Sequence, residues 1–211
     1  MKRSTSMARI VVGVSGASGT ILAVHLISAL TSSGHFVEMI MSRDAVLTAK
    51  VELGAMYATP EKFIDQFSKE QQALIRVHGI HNFFAPIASG SFHFDACVIV
   101  PCSMATLAAI ACGLSDNVLR RAAEVALKES RKLIIVPRET PLNRIHLENM
   151  LKLTSMGASI MPPVPAWYLH PKSLRDVEFA IVSRILDQLG IKMAIAPRWE
   201  GNSEVQAEKP H

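Results

Sequence analysis

Cysteine is scarce in this chain, and its cysteines follow no ligand pattern. Three cysteines, Cys97, Cys102 and Cys112, occur among 211 residues, without a CxxC pair or a Cys/His cluster. An odd number of thiols at this spacing argues against a disulfide framework and against a zinc site. We therefore expect reduced, buried thiols and no metal site.

Long apolar runs and basic runs are also missing. No apolar run approaches the roughly 20 residues that span a bilayer, and residues 1–3 do not lead into the hydrophobic stretch of a secretory signal. We expect a cytoplasmic protein without a membrane span. The formal net charge is +4, and the lysines and arginines are not interleaved with aromatic residues. This distribution disfavours a nucleic-acid partner and favours an anionic small molecule.

Charged residues are few for an isolated domain. They make up 19% of the chain, against 49% hydrophobic residues in 211 positions. This composition predicts one well-filled domain, over residues 9–200, with flexible ends at 1–8 and 201–211. The low charge also predicts that other copies of the chain cover part of its apolar surface, in a homo-oligomer.

Apolar runs and helical patterns alternate along the chain. Continuously apolar strands are predicted at 10–14, 36–41, 96–100, 133–136 and 158–161, and helices at 20–33, 44–53, 104–112, 117–130, 143–156 and 173–189. This βαβ order predicts an α/β fold of the Rossmann-like or flavodoxin-like type: a doubly wound, mostly parallel sheet with helices on both faces. Segment 59–94 interrupts the alternation, and we expect a helix and then a long functional loop there.

A turn of small residues, 15–19, joins the first strand to the first helix. Backbone N–H groups at such a turn can approach an anion, which predicts a phosphate cradle. The glycines at 13, 16 and 19 do not have the dinucleotide spacing, and Ser42 stands where NAD binding usually requires an acidic residue. Arg43 could bind the 2′-phosphate of NADP, so an NADP-dependent oxidoreductase remains an alternative. The absence of a Gly-Lys-Ser/Thr sequence excludes a P-loop.

Polar residues follow the predicted strands at the sheet edge where doubly wound proteins bind ligands. Ser103 and Thr106 begin a helix, and they can cap it and line a ligand site at once. Arg138 and Glu139 lie between a buried strand and a proline-marked turn, which favours a functional pair over a surface pair.

Helical spacing alone predicts no special function for several other charged residues. Arg121 and Lys128 lie seven residues apart on one predicted helix face, as in a solvated stripe, and Arg184 borders an apolar helix face. Glu52 is typical of a helix-surface carboxylate. Some aromatics in predicted loops indicate either a stacked ligand or a subunit interface: Trp167, Tyr168 and Trp199.

Several blocks of this sequence, taken in order, resemble the UbiX-type flavin prenyltransferases. The blocks are GASG at 16–19, Ser42, PCSMAT at 101–106, RAAEVALKE at 121–129, VPRETP at 136–141 and IHLENM at 145–150. The resemblance extends over about residues 8–200 and implies a flavoprotein domain. Related flavin-containing Cys decarboxylases share the architecture, but the Pro-x-Met-Asn block that marks them is not found after a late strand.

The resemblance implies a metal-independent transfer of a dimethylallyl group from dimethylallyl monophosphate to N5 and C6 of reduced FMN. It implies FMN contacts at Gly16, Ala17, Ser18, Ser42, Ser103, Met104, Ala105, Thr106 and Arg138. It implies prenyl phosphate contacts at Lys128, Glu139, Tyr168 and Arg184, joined by Arg121 from a neighbouring subunit. Ser18 and Glu52 would handle protons at the flavin, and Trp199 would lie near the site.

The resemblance also implies a large homo-oligomer, a dodecamer, with sites at subunit junctions. The prenylated FMN would pass to a UbiD-type decarboxylase, as in ubiquinone biosynthesis. Two alternatives remain open from the sequence: an NADP-dependent oxidoreductase and a non-catalytic FMN carrier.

Overall fold

Six parallel strands form one sheet, in the order β3-β2-β1-β4-β5-β6, in the computed structural model, which describes residues 7–199. The strands are β1 (Arg9–Val14), β2 (Phe36–Met41), β3 (Ile75–His78), β4 (Ala96–Cys102), β5 (Lys132–Pro137) and β6 (Ser159–Ile160). Strand β1 lies at the centre, where Val12 is in register with Met39 of β2 and with Val98 of β4. The strand order changes direction between β1 and β4, which creates a topological switch point.

Eight α-helices connect and cover these strands. They are α1 (Thr20–Ser32), α2 (Arg43–Leu53), α3 (Pro60–Ile64), α4 (Lys69–Gln72), α5 (Met104–Ala111), α6 (Val118–Lys128), α7 (Arg144–Ser155) and α8 (Leu174–Leu189). Single 3₁₀ turns occur at Ala55–Tyr57, Pro86–Ala88 and Trp167–Leu169. Most of the α-helices begin at a Ser, Thr or Asn whose side chain accepts a backbone N–H, as at Ser42 and Ser103.

Both faces of the sheet are covered by helices. On one face, α1 and α8 bury apolar side chains such as Leu26 and Ile185 against the sheet. On the other face, α5 and α6 bury Leu107 and Val125. The predicted doubly wound α/β fold in a single domain is therefore confirmed, and the carboxyl ends of all six strands open toward one edge of the sheet.

Two predictions about the sheet were wrong. The segment 59–94 contains strand β3, which pairs with β2 from Ile75 to His78, in addition to short helices. This strand is short, lies at the sheet edge and includes the exposed Arg76, so it lacks a continuous apolar run. Strand β2 is not continuously apolar either, because it contains Glu38, a buried residue with 1% exposure.

Glu38 is compensated by two basic side chains from neighbouring strands. Its carboxylate forms an ion pair with Arg9 of β1, and His78 of β3 lies 2.6 Å from its second oxygen. Burial raises the pKa of Glu38, but hydrogen bonds from His78 and Arg9 outweigh it and leave the pKa below its ordinary value. The carboxylate therefore remains charged inside the sheet.

The three cysteines differ in exposure. Cys97 and Cys102 are buried in β4, and burial raises the pKa of both thiols, so neither is a reactive thiolate. Cys112 is exposed at the end of α5, which corrects the expectation that all three are buried. Within residues 7–199 no group of three or more His, Cys, Asp or Glu side chains is arranged to hold a metal ion.

Helix α7 buries little of its own apolar surface. Leu153 is buried, whereas Ile145, Leu147 and Leu151 are 66%, 52% and 67% exposed. None of the described helices is both long and apolar enough to cross a membrane. The expected flexible ends, 1–8 and 201–211, lie outside the described residues except for Met7 and Ala8, and the backbone N–H of Ala8 donates to His35 Nδ1.

Candidate active site

The turns after β1 and β4 are tied together at the switch point. Ser15, which is 1% exposed, donates its hydroxyl to the carbonyl of Pro101 over 3.1 Å. The same hydroxyl accepts the backbone N–H of Ser103 over 2.7 Å. Because one buried side chain joins the two turns, residues 16–18 and 103–106 are held in a fixed relation.

Gly16 lies directly against the start of α2. A Cβ built at this position would be 2.4 Å from Cβ of Asp44, a separation that real Cβ atoms essentially never show. The close approach of the two backbones therefore requires glycine here. Without that approach, the β1 turn and Ser42 could not border the same cavity.

A cavity of about 210 Å³ opens between these turns, and we call it the switch-point cleft. Five of the residues predicted to contact FMN line it, namely Gly16, Ser42, Ser103, Ala105 and Thr106. Asn117 and Arg120 also line it. Two further residues from the predicted FMN set, Ala17 and Met104, are buried beside it at 7% and 9% exposure.

Three helices begin at the switch-point cleft. Ser42, Ser103 and Asn117 are the N-caps of α2, α5 and α6, and each side chain accepts a backbone N–H of its own helix. The positive ends of the three helix dipoles therefore converge on one cavity. Ser42 and Ser103 are thus capping residues, and their position at the cavity wall leaves a ligand-binding role compatible with capping.

Arg120 adds a cationic group to the switch-point cleft. Its Nη1 contacts Asp116 over 2.7 Å, but its Nε is buried without a hydrogen-bond partner. A buried N–H donor without a partner is destabilising unless a ligand or water satisfies it. An anion bound at the three helix N-termini would lie in the cavity whose wall includes Arg120.

The expected phosphate cradle at the start of α1 is occupied by a side chain of the protein. Both oxygens of Glu52 accept the N–H of Gly19 over 3.1 Å, and one accepts the N–H of Thr20 over 2.9 Å. Glu52 thus supplies the helix cap that Gly19, the N-cap residue, cannot supply itself. This corrects the interpretation of the turn as a phosphate cradle, because its first two donors already bind a carboxylate.

The surroundings of Glu52 keep it ionised. Its partial burial raises the pKa, but hydrogen bonds from Ser18, Thr20 and Gly19 outweigh burial and lower the pKa below its ordinary value. The side chain is therefore a carboxylate at neutral pH, able to accept a proton. It is also a weaker base than a free glutamate, since the helix stabilises the charged form.

A second cavity, which we call the Glu52 cleft, has a volume of about 480 Å³. Ser18, Glu52 and Arg138 supply its polar wall, and Pro163, Pro165 and Ile181 are among its apolar residues. Because Gly16 borders the switch-point cleft and Ser18 borders this one, the turn after β1 separates the two cavities. A ligand that crosses this turn can contact both.

A third cavity of about 380 Å³, the Tyr168 cleft, adjoins the second through the shared Ile181. Tyr168, Arg184 and Trp199 line it, so the structure brings together three residues predicted to lie near the prenyl phosphate. The rings of Tyr168 and Trp199 meet edge to face, with centroids 5.6 Å apart. Both aromatics are more than half exposed.

Two residues predicted to contact the prenyl phosphate, Lys128 and Arg121, do not line the Tyr168 cleft of the described chain. Lys128 ends α6 near the amino edge of the sheet, beside Gly90, and forms an ion pair with Glu129. Arg121 lies in the first turn of the same helix and donates to the carbonyl of Ala88 over 3.0 Å. Neither residue lines the Tyr168 cleft, so a second copy of the chain would have to bring these groups to it.

Arg138 and Glu139 do not form the pair that their adjacency suggested. Both are exposed at the end of β5, and one oxygen of Glu139 accepts the backbone N–H of Thr140 over 3.0 Å. In the described part of the chain no ion pair joins the two side chains. Arg138 faces the Glu52 cleft, and Glu139 is not among the residues that line that cavity.

Sequence reasoning missed two groups in these cavities. Arg120 was not singled out, because helical spacing does not reveal that α6 begins at a cavity. Asp187 and Arg198 line the Tyr168 cleft and were not singled out. Asp187 lies three residues after Arg184 on α8, and this i,i+3 spacing was the available signal.

The fold and its clefts are those of a nucleotide- or flavin-binding α/β protein. A family model described as Flavoprotein matches residues 1–187. A flavin prenyltransferase UbiX from Chlamydia pneumoniae is 50% identical over 193 residues, which cover 92% of this chain and 98% of the relative.

Solved structures agree with these sequence comparisons. AnUbiX (PadA1), in complex with FMN and dimethylallyl pyrophosphate, superposes with a TM-score of 0.85 at 40% identity, covering 93% of this chain and 100% of its own. A dodecameric FMN-dependent UbiX-like decarboxylase from Escherichia coli O157:H7 has a TM-score of 0.80 at 42% identity, covering 92% of this chain and 100% of its own. The chain belongs to the flavoprotein family and, within it, to the UbiX-type flavin prenyltransferases.

Proposed function

We propose that this protein joins the dimethylallyl group of dimethylallyl monophosphate to N5 and C6 of reduced FMN without a metal ion. The observation that carries the proposal is the set of three clefts near the carboxyl edge of the sheet: the turn after β1 lies between the first two, and Ile181 lines both the second and the third. They are an anion-binding cavity, a carboxylate-bearing cavity and a cationic, aromatic cavity. Such a set suits two anionic substrates that meet at a proton acceptor.

The residues of the switch-point cleft fit the phosphate of FMN. The unpartnered Nε of Arg120 and the N-termini of α2, α5 and α6 provide donors and positive potential for it. Ser18 and Arg138, which line the cavity on the other side of the turn at residues 16–18, would then hold the flavin ring. Reduced FMN supplies the electron-rich ring to which the prenyl group is joined.

The Tyr168 cleft supports departure of the prenyl phosphate. When the allylic C–O bond breaks, its electron pair leaves with the phosphate, and the remaining prenyl group carries positive charge. Arg184 and the hydroxyl of Tyr168 stabilise the leaving phosphate, and Lys128 and Arg121 join them from a neighbouring copy of the chain, whereas Glu139 would contact the phosphate only in its protonated form. The faces of Tyr168 and Trp199 stabilise the positive prenyl group.

Ring closure would need one proton added to the double bond of the prenyl group and one removed from C6: the proton released from N5 when the first bond forms would supply the former, and Glu52 would accept the latter. Ser18 and Glu52 line the same cleft, so the hydroxyl can relay a proton from flavin C6 to the carboxylate. The hydrogen bonds from the start of α1 hold that carboxylate in place before the reaction.

The complete site requires several copies of the chain. We propose a homo-oligomer, a dodecamer like the similar E. coli protein, in the cytoplasm, with the prenylated FMN passing to a UbiD-type decarboxylase in ubiquinone biosynthesis. The exposed apolar side chains of α7 and the position of Lys128 support assembly.

An anaerobic mixing experiment tests the proposed activity. Protein loaded with reduced FMN is mixed with dimethylallyl monophosphate, and we expect a changed flavin spectrum and a flavin mass increased by one prenyl group. A bound flavin that does not react would identify a carrier instead. Oxidation of NADPH without prenyl transfer would identify an oxidoreductase.

Two variants test the division between the clefts. Arg184→Ala and Lys128→Ala should each raise the KM for the prenyl phosphate about 10-fold to 100-fold, since each removes one cation from the leaving phosphate. FMN binding, measured by quenching of flavin fluorescence, should stay within twofold of the wild type. Loss of FMN from either variant would contradict the division.

A further inference from the structure

Asp187 lies between two guanidinium groups in the Tyr168 cleft. One oxygen is 2.9 Å from Nη1 of Arg184, and the other is 2.7 Å from Nη2 of Arg198. Asp187 is 21% exposed, whereas the side chains of Arg184 and Arg198 are 66% and 48% exposed. The carboxylate is therefore the less accessible partner, and both arginines line the cavity.

The three side chains together carry a formal charge of +1. The hydrogen bond from Arg198 lowers the pKa of Asp187 below its ordinary value, so the carboxylate is ionised at neutral pH. It offsets one of the two positive charges at the place where a prenyl phosphate ester would bind. All three residues line the same cavity as Tyr168 and Trp199.

We propose that Asp187 determines which prenyl ester the protein prefers, favouring the monophosphate over the diphosphate. The inference rests on the proposed function, because it concerns the prenyl phosphate of that reaction. A phosphate monoester carries a charge of about −2 at neutral pH, and a diphosphate ester carries about one negative charge more. The additional charge would lie near Asp187 and be repelled by it.

The size of this preference follows from Coulomb's law. One additional unit charge about 6 Å from a carboxylate, at an effective dielectric constant of about 40, changes the binding ratio about tenfold. Arg198 has the opposite effect, because a cation attracts the diphosphate more strongly than the monophosphate. Substitutions of Asp187 and Arg198 should therefore move the preference in opposite directions.

Equilibrium binding measures the preference without turnover. Protein loaded with oxidised FMN, which does not accept the prenyl group, is titrated by calorimetry with dimethylallyl monophosphate and with dimethylallyl diphosphate. Asp187→Asn should move the ratio of the two dissociation constants about tenfold toward the diphosphate, and Asp187→Glu should restore the wild-type ratio. Arg198→Gln should weaken both ligands and move the ratio toward the monophosphate.

A structural role for Asp187 gives a different result. If the carboxylate served only to hold Arg198 and Trp199, Asp187→Asn would weaken both esters equally, and the unchanged ratio would overturn the inference. Glu61→Gln, which removes one carboxylate from α3, is the matched charge control and should leave the ratio unchanged. A shift in this control equal to that of Asp187→Asn would also overturn it.

The outcomes separate this inference from the proposed function. Wild-type protein that binds both esters while Asp187→Asn keeps the wild-type ratio refutes the selection by Asp187 and leaves prenyl transfer intact. Wild-type protein that binds neither ester refutes both. If Asp187→Asn does not fold, Arg198→Gln decides the question, because an unchanged ratio there contradicts the same electrostatic argument.

Discussion

The switch-point cleft and the Tyr168 cleft are built in different ways. The first lies between turns that a buried serine and three helix caps hold in place. The second lies between a proline-containing loop, the outer face of α8 and the segment that follows it, and its aromatics Tyr168 and Trp199 are 58% and 57% exposed. The framework of strands and helices thus forms the cleft that we propose for FMN, whereas ion pairs on exposed side chains form the cleft that we propose for the prenyl phosphate.

Glu52, between the two clefts, should give the largest effect. Glu52→Gln removes the proton acceptor but keeps an oxygen for the N–H groups of α1, so ring closure should slow about 1,000-fold while FMN still binds. Mass spectrometry of quenched reactions should show flavin with the prenyl group bonded at N5 and not at C6. Full product formation at the wild-type rate would remove Glu52 from the mechanism.

The framework beneath the switch-point cleft depends on the buried carboxylate of Glu38. Glu38→Gln leaves Arg9 and His78 without their anionic partner, so we expect about 3 kcal/mol lower stability in urea unfolding. Glu148→Gln on α7 is the control, since it breaks an exposed pair with Arg144 and should lower stability by less than about 0.5 kcal/mol. Equal losses of stability in the two variants would show that the buried carboxylate contributes no more than the exposed one.

The same carboxylate predicts a dependence of stability on pH. The pKa of Glu38 in the folded protein is lower than its ordinary value of 4.5, so its stabilising contribution is present above that pH. The contribution is lost as the pH falls below 4.5 through the folded-state pKa. Wild-type protein should therefore lose more stability over this acid range than Glu38→Gln, and parallel losses would contradict the assignment.

Substitution of Gly16 should give the smallest of these effects, and it tests only the binding of FMN at the switch-point cleft. Gly16→Ala places a methyl group against Asp44, so the turn must move, and we expect about tenfold weaker FMN binding by fluorescence titration. The matched control is Gly79→Ala, where the added Cβ would be 3.6 Å from the nearest atom, an ordinary contact. Unchanged affinity in Gly16→Ala would show that the close approach does not shape the cleft.

Much of the framework could be predicted from the sequence, because local patterns determine it. Apolar runs identified five of the six strands, whereas the small residues after β1 were interpreted as a phosphate cradle and instead allow Gly16 to lie against Asp44. Ser42 and Ser103 could be identified as helix caps, since hydroxyl residues at helix starts have a local function. Strand β3 was missed because a short edge strand with an exposed arginine has no distinctive pattern.

The cavities depend on contacts between residues distant in the chain, and spacing does not reveal those. Glu52 caps a helix that begins 32 residues earlier, and the interpretation of that helix start as a phosphate cradle could not anticipate this. Arg198 meets Asp187 only after the chain has turned back along α8. The family resemblance pointed to Glu52 and Arg184 as site residues. The groups that form hydrogen bonds or ion pairs with them could be identified only from the three-dimensional structure.

The position of Lys128 has a genetic consequence. If a complete site draws Lys128 from one copy and Arg184 from another, two inactive alleles can complement each other. A cell that expresses a Lys128 mutant and an Arg184 mutant together would build mixed oligomers. Some subunit junctions would then combine the intact Lys128 of one chain with the intact Arg184 of another. Recessive defects in this protein would then depend on which pair of alleles a cell carries.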